Sequence, residues 1–227
     1  ARTSEVALYV DATVLKDLNE SDKAIDKLNE AIKLNPDFAM AYSLLGQIYR
    51  ESGEYQKSAK AYTRATEINP FSFSDFFNLG EVYELMEKWA EAVKAYVRAC
   101  ELKPEDVPSH VRTASCYTKL KDYDRAEQYA LAAESLSADD PDVQKVLGDV
   151  YEGKQSYEQA IASYRKALEL QGNKPEIMVP LAKAYLMLGR SGAAKELLAQ
   201  TIAVQPDNGK AYQYLGYAHL QEGDYEA

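Results

Sequence analysis

Three kinds of side chain in this 227-residue chain could carry chemistry on their own. The imidazoles of His110 and His219 could act as general bases or metal ligands. The thiols of Cys100 and Cys116 could act as nucleophiles or pair. The 18 tyrosines could donate protons or stack on a ligand. None of them stands in the spacing such chemistry needs. His110 and Cys116 have no neighbour at zinc-ligand spacing, no Gly-rich segment reads as a phosphate loop, and no nucleophile, base and orienting group occur together. No catalytic residue, no metal and no cofactor is expected.

What does recur is a pair of residues with no reactivity. Leu45-Gly46 returns as Leu79-Gly80, Leu147-Gly148 and Leu215-Gly216, in steps of 34 residues. A period of that size marks a unit that buries its apolar face only by stacking on copies of itself. With repeats starting at Glu5, Ala39, Phe73, Val107, Pro141, Pro175 and Gly209, no insertion is needed to keep the frame. Position 8 is always tiny (Gly46, Gly80, Ala114, Gly148, Ala182, Gly216), and positions 20 and 27 are almost always Ala, as close helix crossings require. Large residues fill the gaps: Tyr49, Tyr83, Tyr117, Tyr151 and Tyr185 at position 11, and Tyr62, Tyr96 and Tyr164 at position 24.

The spacing predicts two helices per unit. A break falls near position 15, where Gly53 and Gly223 sit, and the second helix ends at Pro36, Pro70, Pro104 and Pro206. All tyrosines except Tyr9, Tyr129, Tyr214 and Tyr217 then occupy scaffold positions, as do Trp89, His110 and His219. Cys100 and Cys116 take apolar slots on successive helices. Their axial offset of ~9 Å, at ~1.5 Å per residue, exceeds disulfide reach, so buried free thiols are expected.

The motif Tyr/Phe-x-x-Leu-Gly-x-x-Tyr, followed by Ala, an aromatic, Ala and Pro, resembles the tetratricopeptide repeat (TPR) family over roughly residues 5–227. The resemblance implies an all-α fold, a right-handed α-α superhelix of antiparallel helix pairs whose first helices line a concave groove. It also implies a single array of six pairs plus the first helix of a seventh, residues 209–227. The last residues, Gly223 to Ala227, read as a turn into a further helix, and the chain begins Ala1-Arg2-Thr3 without Met. A fragment of a longer protein is therefore expected. Pro180, several residues into a first helix, should remove one ladder hydrogen bond and kink that helix.

Charge and hydropathy narrow the partners. The formal net charge is −10 and no basic stripe occurs, which disfavours nucleic acid. No apolar run reaches the ~18 residues of a membrane span, so no membrane insertion is expected. A protein or peptide ligand remains, and the family places such ligands against the groove positions of the first helices. Carried onto this chain, the peptide-binding residues are Gln47, Arg50, Phe77, Asn78, Glu81, Arg112, Ser115, Lys145, Lys183, Tyr214 and Tyr217. Phe77, Tyr214, Tyr217 and Tyr9 are expected to stand exposed there as anchors. Phe71 is expected to be buried in its turn.

The carboxylate clamp of co-chaperone TPR domains is matched by Asn78 and Arg112 but not by Ser43, Gln47 and Pro108, and the asparagine ladder of the glycosyltransferase arrays is absent. A non-catalytic interaction scaffold is the reading that follows. The alternatives are a self-associating module acting through an open C-terminal edge, and the targeting arm of a larger enzyme or of a secretion or assembly complex. Few cysteines and uniform acidity fit the cytoplasm or a bacterial periplasm equally.

Overall fold

The computed structural model describes residues 4–223, and in these residues all regular structure is helical. The helices are α1 (Glu5–Asp17), α2 (Ser21–Leu34), α3 (Ala39–Glu51), α4 (Tyr55–Ile68), α5 (Phe73–Leu85), α6 (Trp89–Leu102), α7 (Val107–Lys119), α8 (Tyr123–Leu136), α9 (Pro141–Gly153), α10 (Tyr157–Gln171), α11 (Pro175–Met187), α12 (Ser191–Val204) and α13 (Gly209–Glu222). They gather into two compact units divided within α7, after Ser109. In the first unit α1 packs on α2, α3 on α4 and α5 on α6, with α2–α3 and α4–α5 joining the pairs. In the second unit α9 packs on α10, α11 on α12, and α13 on α12 and α11.

Several helices, α1, α5, α8, α9 and α13 among them, start where a polar side chain accepts from a free N–H of the first turn. Asp140 accepts from the Asp142 and Val143 N–H groups at 2.8 and 3.4 Å ahead of Pro141. Asn208 accepts from Ala211 N–H at 3.0 Å. The first helix of every pair ends in one device. Asn19, Gly53, Glu87, Lys121, Gln155, Gly189 and Gly223, spaced 34 apart, all have φ between 55 and 77°. That left-handed residue lets the next N–H reach back to the carbonyl five residues earlier, as from Glu54 to Tyr49, Lys88 to Tyr83 and Ser156 to Tyr151, each at 2.8 Å. Only Gly adopts this conformation freely, so four of the seven turns hold a side chain in a strained backbone.

The core of each unit is built from the small and large positions of the frame. Leu28, Leu44, Leu45 and Ile48 pack around Ala12, Ala24 and Ala41 in the first unit, and Ile161, Tyr164, Ile177 and Leu181 around Ala160, Ala167 and Ala184 in the second. The glycines at position 8 are sockets. A Cβ on Gly46 would lie 2.8 Å from the Tyr62 ring, one on Gly80 would lie 2.6 Å from Tyr96, and one on Gly148 would meet Tyr164 closer still. Where position 8 is alanine, a shorter knob shares its cluster: Ala12 with Leu28, and Ala182 with Leu198. Cys100 and Cys116 are buried and are not joined in a disulfide.

Some aromatics depart from expectation. Phe71 is 77 % exposed rather than buried in its turn. The Asn69 carboxamide accepts from the Phe71 N–H at 3.2 Å, so the turn is closed by a polar side chain and offers the ring no wall. Tyr129, outside the repeat frame, has its ring 5.9 Å from His110 and 5.8 Å from Tyr117. It supplies bulk that Ala130, at position 24, cannot.

Candidate peptide-binding groove

The first helices of each unit carry the groove positions, and each unit presents its own polar array. In the first unit α3 and α5 are tied together by Arg50, whose guanidinium donates to Glu81 at 2.5 Å and to Asn78 at 3.3 Å. One turn away Gln47 donates to Glu51 at 2.9 Å, and Lys16 of α1 lies 3.5 Å from the same carboxylate. Four of the five groove residues predicted in this unit are thus engaged with each other or with Glu51. The fifth, Phe77, is not a free anchor. It is half-buried, edge-on to Tyr96 at 5.5 Å and 5.9 Å from Phe73. Tyr9 is likewise half-buried, edge-on to Phe38 at 5.7 Å.

The second unit holds a cleft of about 640 Å³ lined by Ser115, Lys145, Asp149, Glu152, Lys183 and Tyr214, among others. Its floor is a single network. Lys145 pairs with Asp149 at 2.7 Å and Lys183 with Glu152 at 2.5 Å. The Tyr164 hydroxyl donates to Asp149 at 2.7 Å and more weakly to Glu152 at 3.4 Å. Burial pushes the Tyr164 phenol far above its ordinary value, and the two carboxylates add to the shift, so it remains a donor at all physiological pH. Burial pulls the Lys183 ammonium down, but its hydrogen bond and charge attraction to Glu152 outweigh this and leave it raised. Lys183 is therefore a cation at neutral pH.

The wall of this cleft includes Glu176, Val179 and Pro180. α11 runs through Pro180 without a break. Lacking an N–H, Pro180 gives the Glu176 carbonyl no ladder partner. An adjoining cleft, also of about 640 Å³, is apolar in character and is lined by Leu186, Met187, Tyr217 and Leu220, sharing Lys183 and Tyr214 with the first. Tyr217 is 49 % exposed and Tyr214 half-buried, so only the former stands free as expected. Arg112 is exposed on α7 and does not line either cleft.

Sequence reasoning misses several lining residues, Tyr123 and Gly153 among them; a Cβ on Gly153 would collide with the Tyr123 ring. A glycine at position 13, where other repeats carry Glu51, Leu85 or Lys119, was the available signal.

Among the described residues no group of three or more His, Cys, Asp or Glu could hold a metal ion, and no helix is long and apolar enough to cross a membrane. Helix pairs repeating every 34 residues, with charged and apolar clefts on the first helices, define an all-α repeat solenoid of the kind that serves as an interaction scaffold. The chain belongs to the tetratricopeptide repeat family, whose sequence models match residues 9–73, 74–106, 107–140 and 153–216.

No curated protein matches the sequence. Among solved structures, a tetratricopeptide repeat protein from Parabacteroides merdae is 17 % identical with a TM-score of 0.77, over 97 % of this chain and 87 % of that one. PilW, a type IV pilus biogenesis factor, is 19 % identical with a TM-score of 0.73, over 95 % and 100 %. YrrB, described as a TPR protein with an unusual peptide-binding site, is 19 % identical with a TM-score of 0.66, over 82 % and 96 %. These likenesses are of fold.

Proposed function

We propose that the chain is a non-catalytic scaffold that holds a partner's peptide or helix in the groove of its second unit. The observation that carries this reading is the pair of adjoining clefts sharing Lys183 and Tyr214, one charged and one apolar. A ligand with an acidic residue followed by one or two apolar residues satisfies both. Its carboxylate exchanges with Glu152 or Asp149 for a lysine, while its apolar side chains cover Met187, Tyr217 and Leu220. The unladdered Glu176 carbonyl adds an acceptor for a ligand N–H. The peptide-binding site described for YrrB is in keeping with this use of the fold.

The test is selection of displayed peptides on the intact chain, followed by affinity measurements with Lys145→Ala, Tyr214→Ala and, on the outer face of α10, Lys166→Ala. Tenfold or greater losses are expected for the first two and none for the third. Selected peptides that tolerate both groove changes would sink the reading.

A second reading, self-association, draws on α1 rather than on the C-terminal edge. Val14 is 54 % exposed at the position where Ile48, Val82 and Val150 are buried, and it continues a stripe with Val6, Val10 and Leu18. Sedimentation over a concentration series separates the two, since a strict monomer excludes this one.

A further inference from the structure

The first unit has a cleft of about 420 Å³ between α4 and the turn from α5 into α6, and none of the predicted groove residues lines it. Its floor is apolar. Ala59 is buried there, and Tyr83 and Met86 are half-buried against the cluster that Ala59 shares with Tyr62, Leu79 and Val82. Its rim is cationic. Lys60 and Lys88 are exposed at it, and neither makes an ion pair among the described residues. Arg64 is a third cation there, but Glu67 at 3.2 Å and Asp37 at 2.9 Å already share its charge. Glu67 is the only acid lining the cleft, so the two lysines face it uncompensated.

The repeat does not require this pair. Lys60 stands at position 22 and Lys88 at position 16 of the following repeat. The same two positions hold Asp26 with Glu54, Lys94 with Asp122, Gln128 with Ser156, and Ala162 with Arg190. A doubly basic junction thus occurs once, in a chain whose net charge is −10. Two ammonium groups at one cleft repel each other, and exposed lysines add little to folding, so packing gives no reason for both. An anion from outside removes the repulsion. The acidity of the chain as a whole disfavours nucleic acid and anionic lipid as its source. A ligand of phosphates alone would also leave Met86 and Ala59 uncovered.

We propose that this cleft is a docking site for an acidic segment of a partner protein, in which Asp or Glu residues flank one apolar residue. The carboxylates pair with Lys60 and Lys88 while the apolar side chain covers Met86 and Ala59. The site is independent of the groove reading, because it shares no residue with the two clefts of the second unit.

The probe is a fluorescein-labelled peptide, Gly-Asp-Glu-Leu-Glu-Asp-Gly, titrated with the intact chain and followed by anisotropy. Saturable binding is expected, weakened at least tenfold by Lys60→Glu or Lys88→Glu, and weakened also by serine in place of the peptide's leucine. A peptide with lysine at its four acidic positions should bind the Lys60→Glu/Lys88→Glu protein at least tenfold more tightly than the unchanged one. Circular dichroism checks the fold of each variant, and Lys60→Gln with Lys88→Gln replaces any reversal that disturbs it. Lys145→Ala should alter none of these affinities. Binding lost with Lys145→Ala but kept with Lys60→Glu and Lys88→Glu places the peptide in the groove and overturns the proposal. Absence of saturable binding overturns it as well. So does an oligonucleotide or a phosphatidylserine vesicle that binds more tightly than the peptide and is released by Lys60→Glu, which would assign the cleft to nucleic acid or to a membrane.

Discussion

Tyr62 lies with its ring in the space a side chain on Gly46 would need, the nearest ring atoms 2.8 Å from where the Cβ would stand. The ring is almost completely buried, and Ser58 on the same helix donates to the Gly46 carbonyl at 2.7 Å, so neither partner can move aside freely. Gly46→Ala is expected to destabilise the protein by about 1–3 kcal/mol despite alanine's better helix propensity. Combined with Tyr62→Leu it should recover part of the loss, because Ala with Leu is the pairing found at Ala12 and Leu28. Urea unfolding of the two single variants and the double variant measures the coupling.

The same tyrosine governs behaviour in alkali. Burial pushes the Tyr62 phenol up to about 12, against an ordinary value of 10.0, even though Arg50 nearby pulls it down. The unfolded chain therefore releases this proton first. The associated stability is fully present below about pH 10 and is lost as pH rises through about 12, an amount of about 2–3 kcal/mol. Tyr62→Phe should make the fall in stability between pH 9 and 12 visibly shallower, with Tyr164 and Tyr151 still contributing their own share. Equal slopes for the two proteins would contradict this.

Strain at the turns gives a third expectation. Glu87 and Lys121 hold φ values of 55 and 60° at the position where Gly53 and Gly189 sit in other repeats. Glu87→Gly and Lys121→Gly should each stabilise by about 0.5–1 kcal/mol, the left-handed penalty exceeding glycine's extra unfolded-state entropy. Gly189→Ala should act in the opposite direction. Thermal midpoints of the three variants check the sign at each turn.

The charged floor of the cleft should matter less for folding than its geometry implies. Lys183 is more than a third exposed, so solvent screens its pairing with Glu152. Lys183→Ala is expected to lower stability by no more than about 1 kcal/mol, and adding Glu152→Ala should not deepen the loss. A substantially larger effect would make the network structural and weaken the case for its role in recognition.

The frame of helices was legible because packing constrains it heavily. A crossing that admits only Gly or Ala leaves its mark in every repeat, and a ring sixteen residues on does so in three of them. Turn residues such as Glu87, Lys121 and Gln155 were not legible as left-handed, since nothing in their chemistry announces it and the neighbouring hydrogen bonds impose it. Phe71 misled for a related reason: hydrophobicity implies burial only where a neighbour stands to receive the ring. In the groove, Lys145 and Lys183 could be placed by position alone. Their partners could not, because the choice of Asp149 and Glu152 depends on how long side chains cross between helices, which the repeat does not encode. Phe77 is half-buried rather than exposed because the ring of Tyr96, from the second helix of its own repeat, lies edge-on to it.

The paired sizes at positions 8 and 24 also constrain how such a chain can change over generations. A lineage moving from glycine with tyrosine to alanine with leucine cannot begin at the glycine, since a methyl there meets the ring at once. It must first shrink the knob and only then fill the socket. Ala114 with Ala130, both fully buried, is a small-on-small arrangement whose missing bulk is taken up next door by Tyr129. The order of mutations, and not only their sum, is thereby dictated by a single helix crossing.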